Sequence, residues 1–219
     1  MIITLDGPAG SGKSTIAQRL AKVLGIEYID SGALYRTLTL FALRRFGTVQ
    51  GFEGEVAQYF EAHPNALEVK FETHRQRIWL EGEEIKDQIR DLELTRQIRF
   101  VAGHPGCREV VNGLMKNLAQ SYSVVVDGRD IGTVVFPESK NKFYLDAPSS
   151  VRAKRRALEL GEPISGPGFE RMVQEIEDRD RSDQQRPIAP LVCATDAKRL
   201  DTGEMGVEEV LAWISQRLV

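Results

Sequence analysis

The chain has 219 residues, 42% of them hydrophobic and 28% charged, with a formal net charge of −3. That length and apolar content suit one main domain with a small insert and a sizeable core, while the slight acidity excludes a general nucleic-acid binder, which would be basic. No apolar run is long enough to cross a bilayer.

The 29 basic residues divide into 20 arginines and 9 lysines. Arginine presents a planar fork that meets phosphate or carboxylate at two points. Cys107 and Cys193 are far apart and in no metal-like spacing, the pattern of free thiols in a reducing compartment. His63, His74 and His104 are scattered, which suits surface or cap positions rather than zinc. With no leader before the first apolar strand, the expectation is a cytoplasmic protein.

That strand, "IITL", runs into Gly7-Pro8-Ala9-Gly10-Ser11-Gly12-Lys13-Ser14-Thr15, a match to G-x-x-x-x-G-K-[ST]. A helix pattern follows, with Ile16, Leu20, Val23 and Leu24 on one side and Gly25 as its stop. Strand, glycine loop and helix therefore come in the order a phosphate cradle needs. Successive backbone N–H groups form a concave anion site, and the helix N-terminus adds partial positive charge. Lys13 is expected to bridge the β- and γ-phosphates, with Ser14 or Thr15 helping to hold Mg²⁺. A GTPase switch is disfavoured: no aspartate has glycine three residues on, and "NKFY" lacks the acid of N-K-x-D. A small-molecule kinase is the economical reading, and it requires a second anionic site.

"IEYI" reads as the next strand, with Asp30 or Ser31 capping the following helix and Arg36 a turn beyond. Residues 66–85 alternate polar and apolar and hold a turn near Thr73–His74, predicting a small antiparallel insert. Two helical stretches, about 91 to 119, are expected to break near His104-Pro105. Val124 to Val126 is a continuous β-branched run, the mark of a buried parallel strand. It ends in Asp127-Gly128-Arg129-Asp130. Ligands collect at the carboxyl ends of such strands, so Asp127 reads as an acid orienting Mg²⁺ through water and Arg129 as a phosphate grip.

"KFYLD" is a further strand. "SSVRAKRRALEL" predicts a helix capped by Ser149 or Ser150, with Arg152, Arg155 and Arg156 on one face. Beside the glycine- and proline-rich "GEPISGPG" this looks like a closing lid, although for any single one of these arginines a solvated surface position remains the better reading. In residues 169–191 a helical projection puts Met172, Ile176, Arg179, Asp183 and Arg186 on one narrow face. A stripe that starts apolar and turns charged should meet a polar ligand, because unpaired buried charge is unfavourable. Pro187 stops the helix. A strand near "AKRLD" and the helix "VEEVLAWISQRL" close the chain.

Taken together, "DGPAGSGKST", "DSGALYR", "DGRDIGTVVFP", "DAPSSVRAKRR", "RDRSDQQRPIAPL" and "DAKRLDT" resemble, in that order and over nearly the whole chain, the bacterial cytidylate (CMP/dCMP) kinases of the P-loop NMP-kinase family. The resemblance implies an α/β fold with a parallel five-stranded core sheet flanked by helices. It also implies a core (1–62, 91–148, 187–219), an NMP-binding insert (63–90) and a lid (149–186). It implies transfer of the γ-phosphoryl of ATP to CMP or dCMP with Mg²⁺. Arg36 and Arg129 then correspond to the clamp on the CMP phosphate. Arg179 and Asp183 correspond to sugar contacts, with Arg186 beside them; Arg108 and Asp130 correspond to base readers, and Ser31 lies near the acceptor. Lys13, Asp127, Arg129, Arg155 and Arg156 form the catalytic set. The partners expected are the two nucleotides, with no nucleic acid, no membrane, and a monomeric chain.

Two positions depart from the family pattern. Arg99 stands where a small hydroxyl residue usually helps bind the base, next to an unusual Arg96, and Ser182 replaces a residue often charged. A rival of the same class is a kinase with another base preference, such as UMP/CMP or AMP. A rival of a different class is a P-loop regulator that performs no transfer.

Overall fold

A computed structural model describes the backbone of all 219 residues and every side chain except those of Arg90, Leu92 and Glu93. Its strands and helices follow the chain as β1 (Ile2–Asp6), α1 (Lys13–Leu24), β2 (Glu27–Asp30), α2 (Ser31–Phe46), α3 (Glu53–Ala62), β3 (Leu67–Glu72), β4 (Arg75–Leu80), β5 (Glu83–Ile85), α4 (Leu92–Gly103), α5 (Pro105–Ser121), β6 (Val124–Gly128), β7 (Asn141–Asp146), α6 (Ser149–Leu160), α7 (Pro167–Gln184), β8 (Lys198–Asp201) and α8 (Val207–Ser215). A single π-helical turn, Ile131–Val135, follows β6. The parallel sheet has the order β2-β6-β1-β7-β8, and β3-β4-β5 form a separate three-stranded sheet. The expected α/β architecture, a five-stranded parallel sheet with a small antiparallel one, is therefore present.

The chain forms two compact units, one of residues 21–124 with Met1, the other of 2–20 and 125–219. In the first, Leu34, Leu38, Phe41, Val56, Phe60, Val101, Val111 and Met115 are buried. Asp30 caps α2, its carboxylate accepting from the Ala33 amide at 2.8 Å, and Gly47 ends that helix at φ 74°. The insert pairs Leu67 with Leu80 through Glu72 with Arg75. Its turn sits at Thr73 and His74, both at positive φ, a conformation that costs most side chains energy. Pro105 occupies the first turn of α5 and the His104 ring accepts from the Cys107 amide, so the break between α4 and α5 falls where the sequence put it, and His104 is a cap.

In the second unit, β1 pairs with β7 from Ile3–Asn141 to Asp6–Tyr144, and β7 pairs with β8 from Phe143–Lys198 to Asp146–Asp201, all parallel. Ile3, Leu5, Val125, Val126 and Leu145 are fully buried, as expected of strands covered on both faces. Two local expectations fail. Helix α6 begins at Ser149 with Pro148 in the cap position and no side-chain cap. The Ser149 hydroxyl donates instead to Glu177 at 2.7 Å, a partner on α7 that a local reading cannot see. Helix α7 starts two residues earlier than expected, behind Gly166, and ends at Gln184, so Arg186 lies beyond the helix.

Candidate functional site

The phosphate loop begins with a close main-chain approach. A Cβ on Gly7, at φ 146°, would lie 2.0 Å from the Leu145 carbonyl oxygen; only glycine lets the loop leave β1 against β7. Lys13 opens α1 and is 4% exposed. Its ammonium donates to the Pro8 carbonyl at 2.6 Å and the Ser11 hydroxyl at 3.2 Å. Burial pulls its pKa well below the ordinary lysine value, and the neighbouring Arg129 pulls further, while Asp127 and Asp6 oppose them. The ammonium is thus buried at the mouth of the loop with two carboxylates and one guanidinium acting on it.

The Ser14 hydroxyl donates to Asp127 Oδ2 at 2.7 Å, so two of the residues expected to serve a metal stand side by side; Ser14 and Thr15 are both exposed on α1. A hydroxyl and a carboxylate are hard oxygen donors that suit Mg²⁺, which takes few protein ligands and completes its shell with phosphates and water. Among the described residues no group of three or more His, Cys, Asp or Glu could hold a metal ion. The donor set of the pair, one hydroxyl and one carboxylate, fits Mg²⁺.

At the carboxyl end of β6, the Arg129 guanidinium donates to Asp183 at 3.0 Å and Arg186 lies 3.6 Å from Asp130. The stripe expected on α7 is present in part: Met172 and Ile176 are buried, Asp183 reaches Arg129, and Arg179 is exposed. The structure thus brings Lys13, Ser14, Asp127, Arg129, Asp130, Asp183 and Arg186 into one charged neighbourhood of the second unit.

The arginines of α6 behave differently from one another. Arg152 is 5% exposed. It donates to the Ala147 carbonyl at 2.8 Å and the Ala9 carbonyl at 2.9 Å, and pairs with Asp180 at 2.5 Å. It is a buried tie between α6, α7 and the phosphate loop, not the solvated residue that its helix face suggested. Arg155 is half-buried and donates to the Thr202 hydroxyl at 3.2 Å and its carbonyl at 2.5 Å; Arg156 is exposed. A cavity of about 540 Å³ lined by Asp146, Ser149, Arg152, Glu177, Asp180 and Asp201, among others, opens beside α6 and α7. Its lining includes none of residues 7–15.

In the first unit, Arg36 pairs with Asp30 at 3.1 Å and Ser31 is buried at the start of α2. Arg108, 3% exposed, donates to the Ala102 carbonyl at 3.2 Å and sits 5.7 Å from the Tyr35 ring centroid. Arg99 is exposed, its guanidinium 4.8 Å from the centroid of Phe100; on its own unit it turns to that ring.

Sequence reasoning missed Asp6. The carboxylate is 5% exposed and takes the amides of Ile131 at 2.9 Å and Gly132 at 2.7 Å, one on each oxygen. Burial pushes its pKa up to about 6. An acid ending an apolar strand was the available signal, since such a group must find donors.

A cytidylate kinase family model matches residues 3–218. The cytidylate kinase of Pseudomonas fluorescens (strain SBW25) is 42% identical over 221 residues, covering 99% of this chain and 94% of that protein. That of Serratia proteamaculans (strain 568) is 40% identical over 212 residues, covering 96% and 90%. That of Desulforamulus reducens is 38% identical over 218 residues, covering 98% and 96%. Phosphate loop, metal-ready pair and full-length likeness agree, and the chain is an enzyme of the cytidylate kinase family.

Proposed function

We propose that this protein transfers the γ-phosphoryl group of ATP to CMP or dCMP, giving ADP and CDP or dCDP, with Mg²⁺. The observation that carries the reading is the charged cluster at the end of β6, with Arg129 against Asp183 and Arg186 near Asp130, in the same unit as the phosphate loop. A nucleoside monophosphate offers that cluster an anionic phosphate and hydroxyl-bearing sugar.

An oxygen of the CMP phosphate forms a bond to the γ-phosphorus while the bond from that phosphorus to the β–γ bridging oxygen breaks, leaving ADP with the electron pair. The acceptor is already an anion, so no general base is needed, and catalysis is positioning and charge neutralisation. The loop amides and Lys13 hold the donor phosphates. Ser14 and Asp127 would hold Mg²⁺, which supplies charge neutralisation on the phosphates. Arg36 and Arg129 grip the CMP phosphate, Arg179 and Asp183 serve the sugar with Arg186 beside them, and Ser31 serves the acceptor. Arg155 and Arg156 meet the transferring group. Arg108 and Asp130 read the base: cytosine N4 donates to a carboxylate, while N3 and O2 accept from a guanidinium.

Uracil reverses the hydrogen-bonding sense at position 4 and at N3, setting acceptor against Asp130 and donor against Arg108. Each unpaired buried group costs about 1–3 kcal/mol, so CMP should exceed UMP in kcat/KM by at least about tenfold. Initial rates with Mg-ATP and a panel of CMP, dCMP, UMP, AMP and dTMP test this; equal turnover of CMP and UMP would refute it. We further place the enzyme in the cytoplasm as a monomer. Both cysteines are free, which suits a reducing compartment, and among the described residues no helix is long and apolar enough to cross a membrane.

A further inference from the structure

A carboxylate in the core needs a reason, because transferring it from water is costly unless it is paired. Asp6 ends β1, one residue before the phosphate loop. Its two oxygens are taken separately, Oδ1 by the Ile131 amide and Oδ2 by the Gly132 amide. These are the first two residues of the π-helical turn that follows Arg129 and Asp130. The fit around the turn is tight. A Cβ on Gly132 would lie 2.9 Å from the Thr4 hydroxyl, 3.2 Å from Asp6 Oδ2 and 3.3 Å from Lys142 Cδ. Lys142 cannot answer Asp6, since its ammonium is engaged by Asp196 and the Pro137 carbonyl. The charges that act on Asp6 are Lys13 and Asp130. Asp6 therefore joins the root of the phosphate loop to the turn next to the arginine and aspartate assigned to the acceptor.

We propose that Asp6 is a positioning residue: by holding the Ile131 and Gly132 amides on its two oxygens, it fixes Arg129 and Asp130 relative to the phosphate loop. The inference rests on the reading of those two residues as acceptor contacts. An ionised carboxylate accepts strongly on both oxygens, whereas a protonated acid accepts more weakly on its hydroxyl oxygen and an amide presents a donor where one acceptor is needed. The support is directional: it aims two side chains and touches no nucleotide itself.

The test compares the full-length enzyme with Asp6→Asn, measuring KM for CMP at saturating Mg-ATP and KM for ATP at saturating CMP from about pH 5.5 to 8. Losing one charge-assisted bond and creating a donor–donor clash should lower kcat/KM for CMP about 10- to 100-fold. The loss is expected in KM for CMP, with KM for ATP changed far less. The wild type should lose activity as pH falls through about 6, and the variant should lose part of that dependence. Because CMP titrates identically with both enzymes, the difference between the two profiles belongs to the protein. Equal KM for CMP and identical profiles would overturn the proposal, as would a matched rise in KM for both nucleotides.

Should the variant fold poorly, the wild type still decides the question. The ¹⁵N-labelled protein should show the Ile131 and Gly132 amide resonances moving together with an apparent pKa near 6; amides that do not titrate overturn it. A wild-type enzyme that ignores CMP would sink the acceptor reading alone, and the amide titration would still decide whether Asp6 holds the turn.

Discussion

Asp6 illustrates how one side chain can serve function against stability. Its pKa is about 6 in the fold against an ordinary 3.8, so between those values the folded chain holds a proton that the unfolded chain has lost. Linkage then makes stability fall as pH rises through that window. The contribution is fully present below about pH 4 and lost above about pH 6. At about 1.4 kcal/mol per unit, the swing is about 3 kcal/mol. Denaturant titrations of wild type and Asp6→Asn from about pH 4 to 7 should show the wild-type advantage shrinking by roughly that amount. A constant difference would mean the carboxyl does not titrate in this range. Lys13 shows the same tension with opposite charge: burial lowers its pKa, and the ammonium stays buried at the position proposed to meet the donor phosphates.

Helix α6 is set in place by one buried guanidinium more than by its cap. Arg152 donates to Ala147 and Ala9 and pairs with Asp180, while Ala153 and Ala157 pack with Met172 and Ile176 of α7. Arg152→Ala would leave Asp180 buried without its cation. Removing one partner of a buried pair typically costs about 3–5 kcal/mol. A fall of that size in unfolding free energy is expected, with a raised KM for ATP because the Ala9 carbonyl loses its donor. Unchanged stability would show that Asp180 finds another partner. The face carrying Arg152, Arg155 and Arg156 was legible from i, i+3, i+4 spacing. What separates a buried Arg152 from an exposed Arg156 was not, because the carboxylate that decides it comes from another helix. The missing cap on α6 has the same cause: Ser149 spends its hydroxyl on Glu177 of α7.

Across the whole molecule, the periodic signals carried the architecture well. The apolar run at Val124–Val126 became a buried strand, and the alternation around Thr73–His74 became the antiparallel sheet. The Gly7–Thr15 loop fell between strand and helix as expected. The hidden part is long-range and polar. The bonds from Asp6 to Ile131 and Gly132 join residues 125 and 126 positions apart, and no local pattern encodes such a pairing. Thr202 is similar: it accepts from Arg155 and donates its hydroxyl to the Ser11 carbonyl across 191 positions.

The abutment of Gly7 on the Leu145 carbonyl has a wider consequence. The path of the loop is dictated by one peptide unit leaning on another, with no side chain in between. A change of side chain at Leu145 is therefore expected to leave the path of the loop unaltered. Leu145→Met, which keeps volume, should cost less than about 1.5 kcal/mol, lower the melting temperature and leave both Michaelis constants alone. Gly7→Ala should yield little folded enzyme. If Leu145→Met instead altered nucleotide affinity, the insulation between hydrophobic filling and working surface would be an illusion.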